Sequence, residues 1–141
     1  MKELVNSIKK HEGFRGYPYK DSLGIPTIGY GTKLPIDKEE AEWILNHRLN
    51  KMINDLETRK PFIKNLPEPI REVLYEMAYQ LGVGGLLKFK KMLKALEEGD
   101  YKKASLEGLN SKWHRQTPNR AEELMKRLEN FTSGQTIYND D

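Results

Sequence analysis

The sequence predicts an α+β fold in which a small N-terminal β-sheet lobe is joined by a long helix to an all-helical C-terminal lobe. Three observations predict it. Residues 13–36 alternate short extended runs with Gly and Pro turns. Residues 37–59 carry one sustained apolar stripe at helical spacing. Beyond residue 60, apolar positions recur with helical periodicity in blocks separated by Gly or Pro. The expected organisation is one domain over 1–141, with a β-rich lobe at 13–36, a connector helix at 37–59, and a helical lobe formed by 60–141 together with 1–12. A cleft is expected between the lobes. At 141 residues the chain is long enough to bury a core.

The elements follow in order. Leu4, Val5 and Ile8 are apolar at helical spacing, with Lys2, Glu3, Asn6, Lys9 and Lys10 on the other sides, so residues 3–12 read as an amphipathic helix stopped by Gly13. Tyr17-Pro18-Tyr19 and Ile25-Pro26-Thr27-Ile28 read as two short strands joined by the turn Asp21-Ser22-Leu23-Gly24. Glycines at 29 and 31 then interrupt what could have been an unbroken strand, which implies close approach of the backbone to a ligand or another segment. Asp37 and Glu40 form a capping box, and Ala41, Ile44, Leu45, Leu49, Met52, Ile53 and Leu56 carry the connector helix to Arg59.

After prolines at 61, 67 and 69, Ile70, Val73, Leu74, Met77, Ala78 and Leu81 give a helix closed by Gly82. A Gly-rich turn at 82–85 leads into a helix carrying Leu86, Phe89, Met92, Leu93 and Leu96, ended by Gly99. Asp100 N-caps a short helix with Tyr101, Ala104 and Leu109. Trp113 precedes the final helix, for which Thr117 is the expected N-cap and Pro118 the first residue, with Ala121, Leu124, Met125 and Leu128 facing the core. From Thr132 onward no periodicity remains, and fraying is expected.

Chemistry concentrates in HEGFRGYPYKDSLGIPTIGYGT at 11–32, where Glu12, Asp21 and Thr27 stand in the order helix end, turn, strand. Two carboxylates and a hydroxyl on short, turn-rich backbone are what acid/base hydrolysis of a sugar bond requires. Glu12 continues the series 4, 8, 12, so its carboxyl is expected at the rim of the buried stripe, where desolvation and the helix C-terminus both favour the protonated form. A plainer reading stands beside each: a Glu ending a helix is ordinarily solvated, and turns select Asp for local hydrogen bonding.

Residues 11–34 resemble the catalytic segment of the phage-type lysozymes, in which a helix-terminal E-G is followed by Y-x-D and T-I-G-x-G. SKWHRQTPNRA at 111–121 resembles the family's W-x-x-Q-T-P-N-R-A segment, and YQLGVGGLLKF at 79–89 its aromatic-Gln-x-Gly stretch. The resemblance implies a lysozyme-like fold and an endolysin or muramidase that lyses bacteria by cutting the β-1,4 bond between N-acetylmuramic acid and N-acetylglucosamine in peptidoglycan. It makes Glu12 the proton donor, Asp21 the carboxylate that activates or orients water and supports the oxocarbenium-like transition state, and Thr27 the hydroxyl that helps hold that water. Similarity to inverting glycosidases implies carboxyl groups about 6.5–9.5 Å apart.

The substrate-binding positions implied are Lys33, Tyr79, Gln80, Gln116, Asn119 and Arg120, and in the family this Arg faces the catalytic Glu across the cleft. Compared with T-even phage members, the segment between TIGYGT and the connector helix is shortened to Lys33-Leu34-Pro35-Ile36. Lys33, Met92 and Glu107 replace a Leu, a Ser and an Asn, and Thr32 replaces a His. The alternative is a non-catalytic peptidoglycan-binding module of the same fold, which would have lost the acid, the base or the hydroxyl; all three are present.

Composition sets the outer bounds. Twenty-four Lys and Arg against 21 Asp and Glu give a net charge of +3, a mild positive field suited to an anionic wall. Lys88, Lys90, Lys91 and Lys94 alternate with a core stripe rather than gathering on one face, which argues against a nucleic-acid partner. The absence of Cys excludes disulfides and thiolate metal sites, and His11, His47 and His114 lack metal-ligand spacing, so no metal or cofactor is expected. MKELVNSIKK contains no signal-peptide apolar run, and no segment is apolar for long enough to span a bilayer. The expectation is a monomer without stable membrane insertion, held in the host cytoplasm and released to the wall through a phage holin.

Overall fold

The computed structural model describes residues 1–131, and the tail from Thr132 for which fraying is expected lies outside the described residues. The chain divides into two compact units, Met1–Leu45 and Asn46–Asp141. The fold is α+β, as the sequence predicts.

The first unit begins with α1 (Lys2–Glu12), whose C-cap Gly13 adopts φ 72° and donates its N–H to the Lys9 carbonyl. Lys9 and Lys10 occupy the last turn, where cations complement the exposed carbonyls. A three-stranded antiparallel sheet follows in the order β1 (Arg15–Lys20), β2 (Pro26–Gly29), β3 (Thr32–Lys33). Tyr19 pairs with Thr27, and Thr27 with Lys33, while the register between Arg15 and Tyr19 is irregular. The third strand is an addition to the two expected, and it is what carries Lys33 alongside Thr27.

The expected buried stripe of α1 does not hold. No residue of this helix is buried, and Leu4, Val5 and Ile8 are exposed, as is Glu12. Among the described residues of this unit only Thr27 is buried, at 1% exposure. A sheet this small has little apolar surface to gather, so its cohesion comes from turn hydrogen bonds and ring contacts.

Helix α2 (Lys38–Arg59) starts at the expected capping box. The Glu40 N–H donates to Asp37 Oδ1 at 2.8 Å, and the Asp37 N–H donates to Glu40 Oε1 at 2.9 Å. Its apolar stripe is buried only toward the C-terminal end, completely at Leu56 and partly at Met52 and Ile53, whereas Ile44 and Leu45 are exposed.

The second unit holds the hydrophobic core. A 3-10 helix at Pro61–Asn65 occupies the proline-punctuated stretch and buries Ile63. Helix α3 (Glu68–Leu87) contributes Ile70, Val73, Leu74, Met77 and Ala78, and is broken at Gly82 with φ 81° and ψ 157°. The expected stop at Gly82 is thus a kink, because helical backbone resumes through the rest of the Gly-rich segment instead of forming a turn. Helix α4 (Lys90–Glu97) begins after Phe89, its N-cap, and buries Met92, Leu93, Ala95 and Leu96 while Lys90, Lys91 and Lys94 remain exposed. Asp100 caps α5 (Tyr101–Leu109) by accepting the Lys103 N–H.

A short α6 (Lys112–Gln116) carries Trp113 and precedes α7 (Pro118–Asn130). Thr117 occupies the N-cap position of α7 and Pro118 its first residue, as expected, but the Thr117 side chain makes no capping hydrogen bond: its hydroxyl donates backward to the Trp113 carbonyl at 3.1 Å. Helix α5 packs against α4 and α7, closing a core in which Leu74, Met77, Leu86, Met125 and Leu128 are fully buried. Burial of each such side chain stabilises the unit by about 1.5–3 kcal/mol.

Candidate active site

The first unit brings two carboxylates and an ammonium into one small cluster. Asp21 opens the turn between β1 and β2, and the turn is closed by the Gly24 N–H donating to the Asp21 carbonyl at 2.9 Å. Its Oδ1 accepts the backbone N–H groups of Leu23 at 2.8 Å and Ile25 at 2.9 Å. Its Oδ2 accepts Lys33 Nζ at 2.7 Å. The Asp21 side chain is only 17% exposed, against 57% for Lys33. These donors hold the Asp21 carboxyl down at about 2, from an ordinary value of 3.8. The Lys33 hydrogen bond contributes most and the Ile25 amide next, with partial burial opposing them.

Lys33 is in turn held above the ordinary lysine value, chiefly by its bond to Asp21, and the negative charge of Glu12 acts on it as well. Glu12 is placed by the end of α1 and by the Tyr30-Gly31 turn. Gly31 has φ 73°, and a Cβ built on it would lie 2.6 Å from Cδ and Oε1 of Glu12. The close approach expected at this glycine is therefore an approach to the Glu12 carboxyl itself. Phe14 and Tyr30 pack with ring centroids 5.6 Å apart, and Lys9 Nζ lies 5.5 Å from the Tyr30 centroid. These contacts fasten the end of α1 to the turn that carries Gly31.

Buried Thr27 donates its hydroxyl proton to the Ile25 carbonyl at 2.8 Å. With that proton committed, the oxygen can serve any further partner only as an acceptor.

The second unit holds the other expected residues. Gln80 Oε1 accepts Trp113 Nε1–H at 2.9 Å, and the Trp113 ring meets Phe89 edge-on at 5.9 Å. Gln116 lies with Trp113, Met92 and Glu107 along an open groove of about 570 Å³. Tyr79 is 44% exposed, and Asn119 is exposed in the first turn of α7. Arg120, expected to face Glu12, donates from Nε to Glu76 Oε2 at 2.9 Å.

The structure therefore groups Glu12, Asp21, Thr27 and Lys33 in one unit, and joins Gln80 to Trp113 in the other. Trp113 was legible in the sequence as a residue preceding a helix and as the Trp of the W-x-x-Q-T-P-N-R-A resemblance, but its bond to Gln80 was not. The Lys33–Asp21 contact had no signal in spacing, because it depends on the strand register that pairs Lys33 with Thr27. Among the described residues there is no group of three or more His, Cys, Asp or Glu able to hold a metal ion, and no helix long and apolar enough to cross a membrane.

The chain is similar to several known proteins. It is 30% identical to the pre-baseplate central spike protein Gp5 of Enterobacteria phage T4, over 84% of this chain and 26% of that protein, so it spans about a quarter of that relative. It is 27% identical to the probable T4-type lysozyme 1 of Dictyostelium discoideum, over 94% of this chain and 96% of that one. A SAR-endolysin of Bacteriophage PS119 is 34% identical over 66% of this chain and 58% of its own length. The family model described as phage lysozyme matches residues 9–130, and the chain belongs to the phage lysozyme family.

Proposed function

We propose that this protein is a lysozyme that cuts the β-1,4 bond between N-acetylmuramic acid and N-acetylglucosamine in bacterial peptidoglycan by an inverting single displacement. The observation that carries the reading is the cluster in the first unit, where the Glu12 carboxyl lies against Gly31 and acts on Lys33, which itself holds Asp21. Membership of the phage lysozyme family supports it.

In this mechanism Glu12 is the group that delivers a proton to the glycosidic oxygen as the bond breaks, and the sugar develops oxocarbenium character. Asp21, kept anionic by its three donors, stabilises that positive charge, accepts a hydrogen bond from the attacking water at a remaining lone pair of Oδ2, and takes that proton as the water oxygen bonds to the anomeric carbon. The Thr27 oxygen accepts a hydrogen bond from the water's second O–H. Tyr79, Gln80, Gln116, Asn119 and Arg120 are assigned to the glycan and its N-acetyl groups, the exposed Tyr79 ring offering an apolar face. The working form is a monomer without a cofactor, and a phage holin would give it access to the wall.

The test is Glu12→Gln, which preserves shape and cannot donate the proton. Turbidity loss of outer-membrane-permeabilised cells should slow by about 10²–10⁴-fold, with an unchanged circular dichroism spectrum. Wild-type lysis by the folded variant would remove Glu12 from the chemistry and the proposal with it.

A further inference from the structure

Asp21 has few free lone pairs. One oxygen accepts two backbone amides, so the geometry available to the other is decided by whatever donates to it, and that donor is Lys33 at 2.7 Å. Lys33 reaches this oxygen from β3, where its backbone pairs with Thr27, so the ammonium is anchored to the same sheet as the Thr27 hydroxyl. The pair is unequal in exposure, the carboxylate being largely covered and the lysine stem largely in solvent. A covered carboxylate with one well-aligned charged donor keeps its rotamer more firmly than a pair exposed at both ends.

We propose that Lys33 is a positioning residue for Asp21: it fixes the orientation and ionisation of the carboxylate, rather than contacting the glycan. This rests on the reading of the site as a lysozyme centre. The lysine leaves the remaining lone pair of Oδ2 aimed in one direction, so a water accepted there has one position relative to the Thr27 oxygen. It also keeps Asp21 anionic under acidic conditions. The charged and titratable groups acting on the pair are Glu12 from α1 and Tyr19 from β1, and the two turn amides donate to Asp21 as neutral partners. Glu12 and Tyr19 act on Lys33 without replacing it as a donor to Asp21. The consequence for turnover is distinctive: a residue that binds glycan changes KM, whereas one that aims the carboxylate changes kcat and the acid limb of the pH profile.

Lys33→Met and Lys33→Arg, each compared with wild type, separate these roles. In the intact protein, the Asp21 carboxyl carbon is titrated by NMR, and kcat and KM are measured on soluble peptidoglycan fragments across pH. Lys33→Met should raise the Asp21 pKa by about 1 unit, since the turn amides remain. It should lower kcat about tenfold, an effect of about 1.4 kcal/mol on the barrier, with KM little changed. Lys33→Arg, which still donates to Oδ2, should recover most of both. An unmoved Asp21 titration in folded Lys33→Met overturns the proposal, as does a change confined to KM. The titration judges the pair even if wild type cleaves nothing, an outcome that would remove the lysozyme reading instead.

Discussion

Gly31→Ala isolates the placement of Glu12 from the stability of the fold. The added Cβ would stand 2.6 Å from the Glu12 carboxyl, and ordinary contact begins at 3.4 Å, so the carboxyl must retreat by the difference, roughly 0.8 Å. The displaced atoms are the far end of a flexible side chain, so steric relief is inexpensive; the conformational cost comes from φ 73°, about 1–2 kcal/mol for a residue with a Cβ. A reacting group misplaced by about 1 Å can cost about 10²-fold in rate. Gly29→Ala is the control: its φ is 72°, but its nearest neighbour to an added Cβ is Thr32 Oγ1 at 3.9 Å. Urea unfolding should show similar destabilisation in both variants, while turnover on soluble peptidoglycan fragments should fall about 100-fold in Gly31→Ala and stay near wild type in Gly29→Ala. Equal activity in the two variants would refute the argument that Gly31 sets the position of the acid.

Acid should weaken the Asp21 tether with a defined sign. Because folding depresses this carboxyl from 3.8 to about 2, its stabilising contribution is complete above pH 3.8 and is lost as pH falls through about 2. The difference in urea midpoint between wild type and Lys33→Met should therefore shrink from pH 5 toward pH 2, and a constant difference would contradict the linkage. Single displacement also fixes stereochemistry: proton NMR of a fragment digest, read before mutarotation, should show the α-anomer first, whereas β first would exclude water attack directed by Asp21.

Long-period features were legible and short or register-dependent ones were not. The Asp37–Glu40 capping box and the apolar stripes of α3, α4 and α7 are local patterns, and the structure realises them. β3 has two residues and α6 has five, too few for a period to declare itself. The Thr117 hydroxyl chose a carbonyl four residues back over the helix start ahead, a competition between local acceptors and donors that composition does not decide. In the site, the residue types at Glu12, Asp21 and Thr27 were readable, and Gly31 signalled a close approach without naming its object. The exposure of α1 contradicted the buried rim expected for Glu12, because helical spacing identifies an apolar face but not what covers it.

The division of labour between the two oxygens of Asp21 bears on which substitutions this position can accept. The turn asks only for a short side chain with one acceptor, a demand Asn meets as well as Asp, while a Glu would carry that acceptor a methylene beyond the Leu23 and Ile25 amides. The lysine asks for a second acceptor, and the amide nitrogen of Asn would face it donor to donor. Variation at residue 21 in a functional screen would thus distinguish two kinds of selection: recovery of Asn alongside Asp would mark pressure on conformation alone, and strict retention of Asp would mark pressure on charge.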